Sequence, residues 1–472
     1  MKFTVKVLAL AVLMAPAFVL AQEAAAPAAA PAAAGAAVTP KQAEASVAVS
    51  VQDQKIVEAI DADEKIQEIF DAFMERKRAD QNAGITDWGE PSASGVIYFC
   101  EMSPVSSKAS ADPEFLKKRQ TAFTRAFMDI RNSFVKYSFR SQMESTETAS
   151  FSRDANAARD IPKSETDAVK RISEKVVALA ESEVDRKLQE NGVDPSKFNG
   201  VAQKRVALSQ SIVRTCAAKS YGSCAGLSVV KTVEGRGTDG QYSIGVIAKY
   251  DPLSVVIANA MARKVRPDVE PRAGFAVGEL LKGDMTQNFG TRLYYDAEGN
   301  PCLLSFGQWT AGEKSADRFE RKLLEKSAFQ QAEAQANIDM GNFLAGSMTY
   351  KETAVAGEEF AKTMQFDADG RFIGFEKNTG VTDYVNWESR TSAVTSLAGR
   401  SVVYRRMLKH PDTSAPLAVV AVNWTFRKID QLTRQEELAR RPSARRSAAP
   451  AAAVKPASPV GATAREGATY DF

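Results

Sequence analysis

The chemistry open to this chain is limited first by its histidine content, because His410 is the only histidine among 472 residues. A single imidazole excludes a multi-histidine metal site and zinc chemistry of the H-E-x-x-H type. A Ser-His-Asp triad would have to use this one residue. Because His410 precedes Pro411 and Asp412, which are typical of turns, we predict an exposed loop residue and not a general base.

Three short patterns resemble functional motifs without the context that those motifs need. Residues 235–240 read G-x-G-x-x-G, but residues 241–244 continue as a strand, where a dinucleotide site requires a helix. Residues 367–370 begin like a calcium loop, but the next residues lack its further acidic positions. Residues 133–136 read S-x-x-K without the partner motifs of that enzyme class. We predict two hairpin turns and one chance match, with no catalytic, cofactor-binding or metal-binding residue.

The 4 cysteines are the remaining reactive side chains. Cys216 and Cys224 lie eight residues apart, and Tyr221 and Gly222 between them favour a turn, so we predict a disulfide between these two cysteines. Cys100 and Cys302 each lie in an apolar segment typical of a strand, which favours buried free thiols. Whether they pair depends on whether the two strands are neighbours.

The first 21 residues have the pattern of a signal peptide. Lys2 and Lys6 precede the apolar run 7–20, and residues 19–21 have the small-residue spacing of a cleavage site. The apolar run is shorter than the roughly 20 residues of a membrane-spanning helix. We therefore predict an exported protein, periplasmic, outer-membrane-associated or secreted, whose mature chain has no transmembrane span. Peripheral membrane association is left open.

Composition indicates a folded protein with unfolded ends. A hydrophobic content of 44% can supply real cores, whereas a net charge of +3 argues against a nucleic-acid-binding protein. Residues 22–50 form an Ala/Pro-rich linker, and residues 442–472 have the same character, so we predict disorder in both. Residues 51–82 have a helical period with a break near Asp61, and residues 428–441 are predicted to form a charged helix.

The folded part contains the same succession of segments twice. Apolar strands at 96–100 and 302–306 each precede a long amphipathic helix and an insertion, and the similar hexapeptides 225–230 and 398–403 then open a pair of strands. We interpret residues 95–250 and 301–427 as tandem copies of a small sheet-plus-long-helix unit, which gives an α+β fold. The first insertion, 160–220, is predicted to be helical. The second reads as a hairpin around 367–370, and residues 251–300 connect the copies through a helix at 253–263 and a hairpin at 296–300.

The helix segment 121–127 and the strand segments 226–230 and 242–246 resemble the LPP-type lipoprotein domain. This α/β unit is shared with flagellar assembly and curli-secretion envelope proteins. The resemblance implies a periplasmic or outer-membrane-associated assembly role without an active site. The chain departs from that family in lacking the lipid-bearing cysteine, in its long helical insertion and in its duplication.

Together these patterns predict a non-enzymatic envelope protein that acts as a binding or assembly scaffold, without a cofactor, for an envelope protein partner. The alternative is a secreted hydrolase that uses carboxylates on cell-wall polymers. That alternative requires a concave pocket with two carboxyl groups roughly 5 to 9.5 Å apart.

Overall fold

The protein has an α+β fold in a computed structural model that describes residues 61–80, 84–106, 114–151, 160–311, 316–345, 350–376, 379–384 and 399–440. The helices are α1 (Ala62–Ala79), α2 (Phe115–Phe151), α3 (Glu165–Val177), α4 (Glu181–Glu190), α5 (Val201–Tyr221), α6 (Pro252–Ala262), α7 (Val277–Leu280), α8 (Arg318–Ala345), α9 (Tyr350–Lys362) and α10 (Phe426–Arg440). The strands are β1 (Ile97–Val105), β2 (Ser228–Arg236), β3 (Tyr242–Tyr250), β4 (Gly290–Tyr295), β5 (Pro301–Thr310), β6 (Met364–Phe366), β7 (Phe372–Phe375), β8 (Arg400–Lys409) and β9 (Pro416–Thr425). The predicted signal peptide and both Ala/Pro-rich ends lie outside the described residues.

The first sheet has the antiparallel order β1-β3-β2, and helices cover both of its faces. Ile244 and Val246 of β3 pack on the α2 side, whereas Ile247 packs with α1. The contact with α1 is close at Gly245, where an added Cβ would lie 2.4 Å from Ile66 Cγ2. The helix α1 starts at the predicted break, because the Asp61 side chain accepts a hydrogen bond from the Asp63 amide.

The second sheet has the antiparallel order β4-β5-β9-β8, in which the connecting segment contributes the edge strand β4. Alternate residues of β5 face opposite sides. Leu303 packs in a cluster with α8, while Leu304 and Phe306 join the core of the first unit. The two sheets therefore share one continuous hydrophobic core instead of forming two separately packed domains.

The two sheets repeat the same local geometry. Each has its bulge at the same place: Val230 is the extra residue between the β2–β3 pairs, and Val403 is the extra residue between the β8–β9 pairs. Gly226 and Gly399 each lie four residues before the bulged residue, and their φ values are 82° and 93°. Both values fall in the left-handed region that favours glycine. The duplication itself stays a prediction, which this correspondence supports.

The two insertions differ in kind. The first contains the helices α3, α4 and α5, and the second contains α9 and the hairpin β6–β7. Ser173 of α3 accepts a hydrogen bond from the Phe372 amide of β7 at 2.8 Å, so the two insertions pack against each other. Among the described residues, no helix is both long enough and apolar enough to span a membrane.

The predicted disulfide is wrong, because Cys216 and Cys224 are both free thiols in the structure. The helix α5 continues through Tyr221, and a 3₁₀ turn then runs from Gly222 to Cys224, where the prediction placed a reversing turn. Eight residues of such backbone advance about 12 Å, well beyond the roughly 4.4 to 6.8 Å between the Cα atoms of a disulfide. The Cys216 thiol lies 3.4 Å from the Thr146 hydroxyl instead.

Candidate ligand-binding cleft

A cleft of about 610 Å³ lies where the start of β1, the end of β3 and the start of α6 meet. This volume is within the usual range of small-molecule sites, roughly 300 to 1,000 Å³. The lining residues combine polar and apolar side chains: Ile85, Ser94, Val96, Tyr98, Lys249, Asp251, Pro252, Leu253, Val256 and Arg272.

Local sequence fixes the polar floor of the cleft. Asp251 caps α6, since its Oδ1 accepts a hydrogen bond from the Leu253 amide at 2.9 Å, and Pro252 occupies the first helical position. Lys249 is the residue before the last in β3, and its Nζ lies 3.3 Å from Asp251 Oδ2. The charges of Lys249 and Asp251 therefore largely compensate each other.

The facing wall comes from the segment that enters β1. Gly95, with a φ of 79°, brings this segment against α6, since an added Cβ would lie 3.0 Å from Pro252 Cγ. Tyr98 also lines the cleft. Burial raises the pKa of Tyr98, Lys249 lowers it, and Asp251 and Asp80 raise it further. The Tyr98 phenol is therefore protonated at neutral pH and can donate a hydrogen bond.

Arg272 supplies the uncompensated charge of the cleft. Its guanidinium lies 5.5 Å from the ring centroid of Tyr295, a cation–π distance. Within the described part of the chain, no carboxylate lies within ion-pair distance of Arg272. The cleft thus offers one cation at its edge, a hydroxyl donor at Tyr98 and an apolar wall. These features suit binding of an anion with an apolar part.

The cleft does not have the arrangement of a glycoside hydrolase. Asp251 is the only carboxylate among the lining residues that the structure describes, and it is already held by α6 and by Lys249. Acid catalysis on a glycosidic bond needs two carboxyl groups across the substrate. The sequence patterns single out none of the lining residues. The nearest indication is the Asp251-Pro252 pair, a typical start of a helix.

A second polar cluster lies at the junction of the two sheets. Arg119 of α2 forms two hydrogen bonds of 2.7 Å with the Glu234 carboxylate of β2, and the Arg119 side chain is 1% exposed. Arg119 also donates to Gln308 Oε1 of β5 at 3.3 Å and to the Thr286 carbonyl at 3.0 Å. These contacts join elements of both units in the shared core.

The predicted exposure of His410 is wrong, because His410 is 1% exposed and belongs to this cluster. Its Nε2 lies 3.5 Å from Glu234 Oε1, and its ring packs edge-on against Phe115 at 5.5 Å. The predicted turn does form, since the Ser414 amide donates to the His410 carbonyl at 2.9 Å. Sequence shows the turn but not that it docks against the start of α2.

The junction cluster is built to hold elements together. Burial opposes ionisation of Glu234, but Arg119, followed by His410, outweighs burial and places the Glu234 pKa below its usual value. Glu234 is therefore a carboxylate at neutral pH, in a bidentate pair with a buried guanidinium. We assign this cluster a structural role.

The motif-like sequences form the turns that were predicted. Residues 235–240 close the β2–β3 hairpin, and Gly240 has a φ of 81°. Residues 367–370 close the β6–β7 hairpin, where the Asp367 carboxylate accepts hydrogen bonds from the Asp369 and Arg371 amides. The third motif-like sequence, 133–136, lies within α2, where the Ser133 hydroxyl donates a hydrogen bond to Glu101 at 3.2 Å. No group of three potential metal ligands occurs in the described ranges.

Comparison with known proteins gives similarity without a function. A family described as a domain of unknown function (DUF6844) matches residues 169–263, from α3 to just past α6, which include Lys249, Asp251 and Val256. A crystal structure of a hypothetical protein from Francisella tularensis is similar, with a TM-score of 0.46, 17% identity, and coverage of 77% of this chain and 91% of that chain. No curated protein matches the chain. The resemblance to the LPP-type lipoprotein domain stays a prediction.

Proposed function

We propose that the protein is a non-enzymatic, exported envelope protein that acts as a binding or assembly scaffold, with the cleft as its recognition site. The observation that carries the proposal is the state of the charged groups there. Asp251 and Lys249 are held by each other and by α6, which leaves Arg272 as the charged group available to a partner. Such a cleft can bind a ligand but has no acid–base pair to transform it.

The fold supports a scaffold role because it holds the cleft in place. Tyr98, Lys249 and Leu253 of its lining lie in β1, β3 and α6, and the sheet that contains β1 and β3 is covered on both faces. The hydrogen bond from Arg119 of α2 to Gln308 of β5 and the shared core join this sheet to the second one. A site on rigid elements loses less conformational entropy when it binds.

The proposed location rests on the sequence of residues 1–21, and the assembly role rests on the resemblance to the LPP-type lipoprotein domain. The proposed partner is an envelope protein. No observation favours the hydrolase alternative, because the described residues give the cleft a single carboxylate.

The test is site-specific cross-linking in intact cells. A photoreactive amino acid replaces Val256, which lines the cleft and is 50% exposed, and a control places it at Val355 of α9, which is 55% exposed. We expect light to produce one discrete adduct with an envelope protein from position 256 and none of that mass from position 355. Equal labelling from both positions, or a chain that stays monomeric at 256, would contradict the proposal.

A further inference from the structure

We propose that the cleft recognises a carboxylate joined to an apolar group, of the kind present in a fatty acid or at the C-terminus of a peptide with an apolar last residue. This inference rests on the proposed function, since it names the chemistry by which a partner would be recognised. The proposal depends on the juxtaposition of Arg272, the Tyr98 hydroxyl and the apolar side chains of the cleft.

The charge of the site favours a monoanion. Lys249 and Asp251 lie 3.3 Å apart and offset each other, so Arg272 is the one uncompensated charge among the described lining residues. The planar guanidinium matches a carboxylate through two parallel hydrogen bonds. A doubly charged phosphate would need a second uncompensated cation.

Hydrogen-bond donors other than Arg272 also line the cleft. Tyr98 lines the cleft and its phenol is protonated, and the Ser94 hydroxyl lies 2.9 Å from the Ser92 hydroxyl, which places it in a fixed position. A carboxylate has two oxygens and accepts several hydrogen bonds, so it can use Arg272 and one hydroxyl together.

The remaining wall is apolar. Ile85, Val96 and Leu253 line the cleft, and Val256 is an aliphatic side chain left 50% exposed beside them. Covering such surface with an alkyl group is favourable at roughly 25 cal/mol per Å². The ligand therefore needs an apolar group next to its charge, which excludes acetate-sized anions as the preferred class.

Titration calorimetry on the purified full chain tests the ligand class with defined probes. Octanoate represents a fatty carboxylate, and octanamide is its uncharged match. The peptide N-acetyl-Gly-Gly-Leu with a free or an amidated C-terminus represents the protein source. We expect each free carboxylate to bind roughly tenfold or more tightly than its amide, which is the typical effect of a lost charge-assisted hydrogen bond.

Two variants locate the binding, each with a control. Arg272→Gln should weaken octanoate binding by roughly tenfold, whereas Arg318→Gln, at the exposed start of α8, should not. Val256→Trp fills the cleft and should abolish binding, whereas Val355→Trp should leave it intact. A thermal unfolding scan of each variant confirms that it folds, so that lost binding is not lost structure.

Each outcome decides the proposal. Octanoate binding that is insensitive to Arg272→Gln and Val256→Trp overturns it, as does equal binding of acid and amide. Binding of octanoate but not of the peptide supports the carboxylate chemistry and assigns it to a lipid source, and the converse assigns it to a peptide. If position 256 captures a partner in cells while none of the carboxylates binds, the ligand class falls and the scaffold function stands.

Discussion

The two sheets follow one plan but pack their long helices differently. Their matching bulges at Val230 and Val403 make Ile97 equivalent to Leu303, and the same offset in residue number relates Phe123 of α2 to Phe329 of α8. At the position of Glu101 in the first sheet, the second sheet has Gly307. The first sheet thus has a polar residue that keeps the helix at a distance, and the second has a glycine that lets the helix approach.

The contacts of Glu101 and Gly307 show what this difference does to the packing of the helices. Glu101 accepts a hydrogen bond from Ser133 of α2, so a polar pair fills the space between strand and helix. At Gly307 an added Cβ would lie 1.9 Å from the Ala332 carbonyl of α8, so the helix backbone lies directly on the strand. The same topology therefore tolerates either a polar spacer or direct backbone packing, and the choice depends on one residue of the strand.

The opposite faces of the two sheets also differ. In the first sheet, α1 covers the face that contains Tyr98 and Ile247. In the second sheet, the corresponding face, with Leu304 and Phe306, packs into the core of the first unit. The first unit thus takes the place that a covering helix has elsewhere, which explains why its buried Arg119–Glu234 pair contacts Gln308 and His410 of the second unit.

The largest effect is expected where the units meet. Glu234→Gln leaves the buried Arg119 charge unpaired and should lower the free energy of unfolding by about 3 to 5 kcal/mol. The surface pair Arg236–Asp412 is the control, and Arg236→Gln should change stability by less than about 1 kcal/mol. Denaturant unfolding measures both. Equal effects of the two changes would show that the junction pair is not structural.

The cost of Glu234→Gln should also depend on pH. The folded-state pKa of Glu234 lies below its usual value, so the carboxylate stabilises the protein above the unfolded-state pKa of about 4. This contribution is lost as the pH falls through the folded-state pKa. The difference in stability between parent and variant should therefore narrow in acid, and a constant difference would contradict the assignment.

The next effect is expected at Gly307. Gly307→Ala forces the helix away from the strand and should cost about 3 kcal/mol, near the upper end of overpacking changes. The matched change in the first sheet, Glu101→Ala, removes a part-buried polar pair and should cost about 1 kcal/mol. Thermal unfolding of the two variants measures both changes in stability. If Gly307→Ala destabilises the protein less than Glu101→Ala does, the two helices pack alike.

A smaller effect is expected from Asp339 of α8, at the position equivalent to Ser133. Burial raises the Asp339 pKa to about 7, against smaller opposing effects of Gln335 and Arg131. As the pH rises, the unfolded chain releases this proton at a lower pH than the folded protein does. The free energy of unfolding should therefore fall by about 2 kcal/mol between pH 5 and pH 7. Asp339→Asn should flatten that decline. A profile that is the same in parent and variant would contradict the buried placement.

The smallest effect concerns the cysteines. Because all four are free thiols, a reducing agent should change the free energy of unfolding by less than about 0.5 kcal/mol, compared with about 2 to 5 kcal/mol for loss of a native disulfide. Alkylation of the denatured, unreduced chain should add four labels by mass spectrometry. Two labels instead of four would show that two of the cysteines form a disulfide, as the sequence predicted.

Local patterns predicted much of the fold. The glycines at 235–240 followed by the strand residues 241–244 indicated the β2–β3 hairpin, and the long amphipathic helix expected after residues 96–100 corresponds to α2. These features depend on neighbours within a few residues. The start of α6 was also predicted within one residue, and the structure shows Asp251 and Pro252 as its N-terminal cap and first residue.

The site could not be predicted because its parts are distant in sequence. Tyr98, Asp251 and Arg272 come together only after β1 pairs with β3 and the segment that contains Arg272 folds back on α6. The burial of His410 likewise depends on Phe115 and Glu234. The disulfide prediction failed because Tyr221 and Gly222 were interpreted as a turn, although the helix continues through Tyr221.

The most direct test of the binding cleft is a crystal structure of the chain with octanoate. We expect the octanoate carboxylate within hydrogen-bond distance of the Arg272 guanidinium, with the octanoate alkyl chain against Val256 and Leu253. Octanoate bound elsewhere on the molecule, with this cleft occupied only by water, would contradict it.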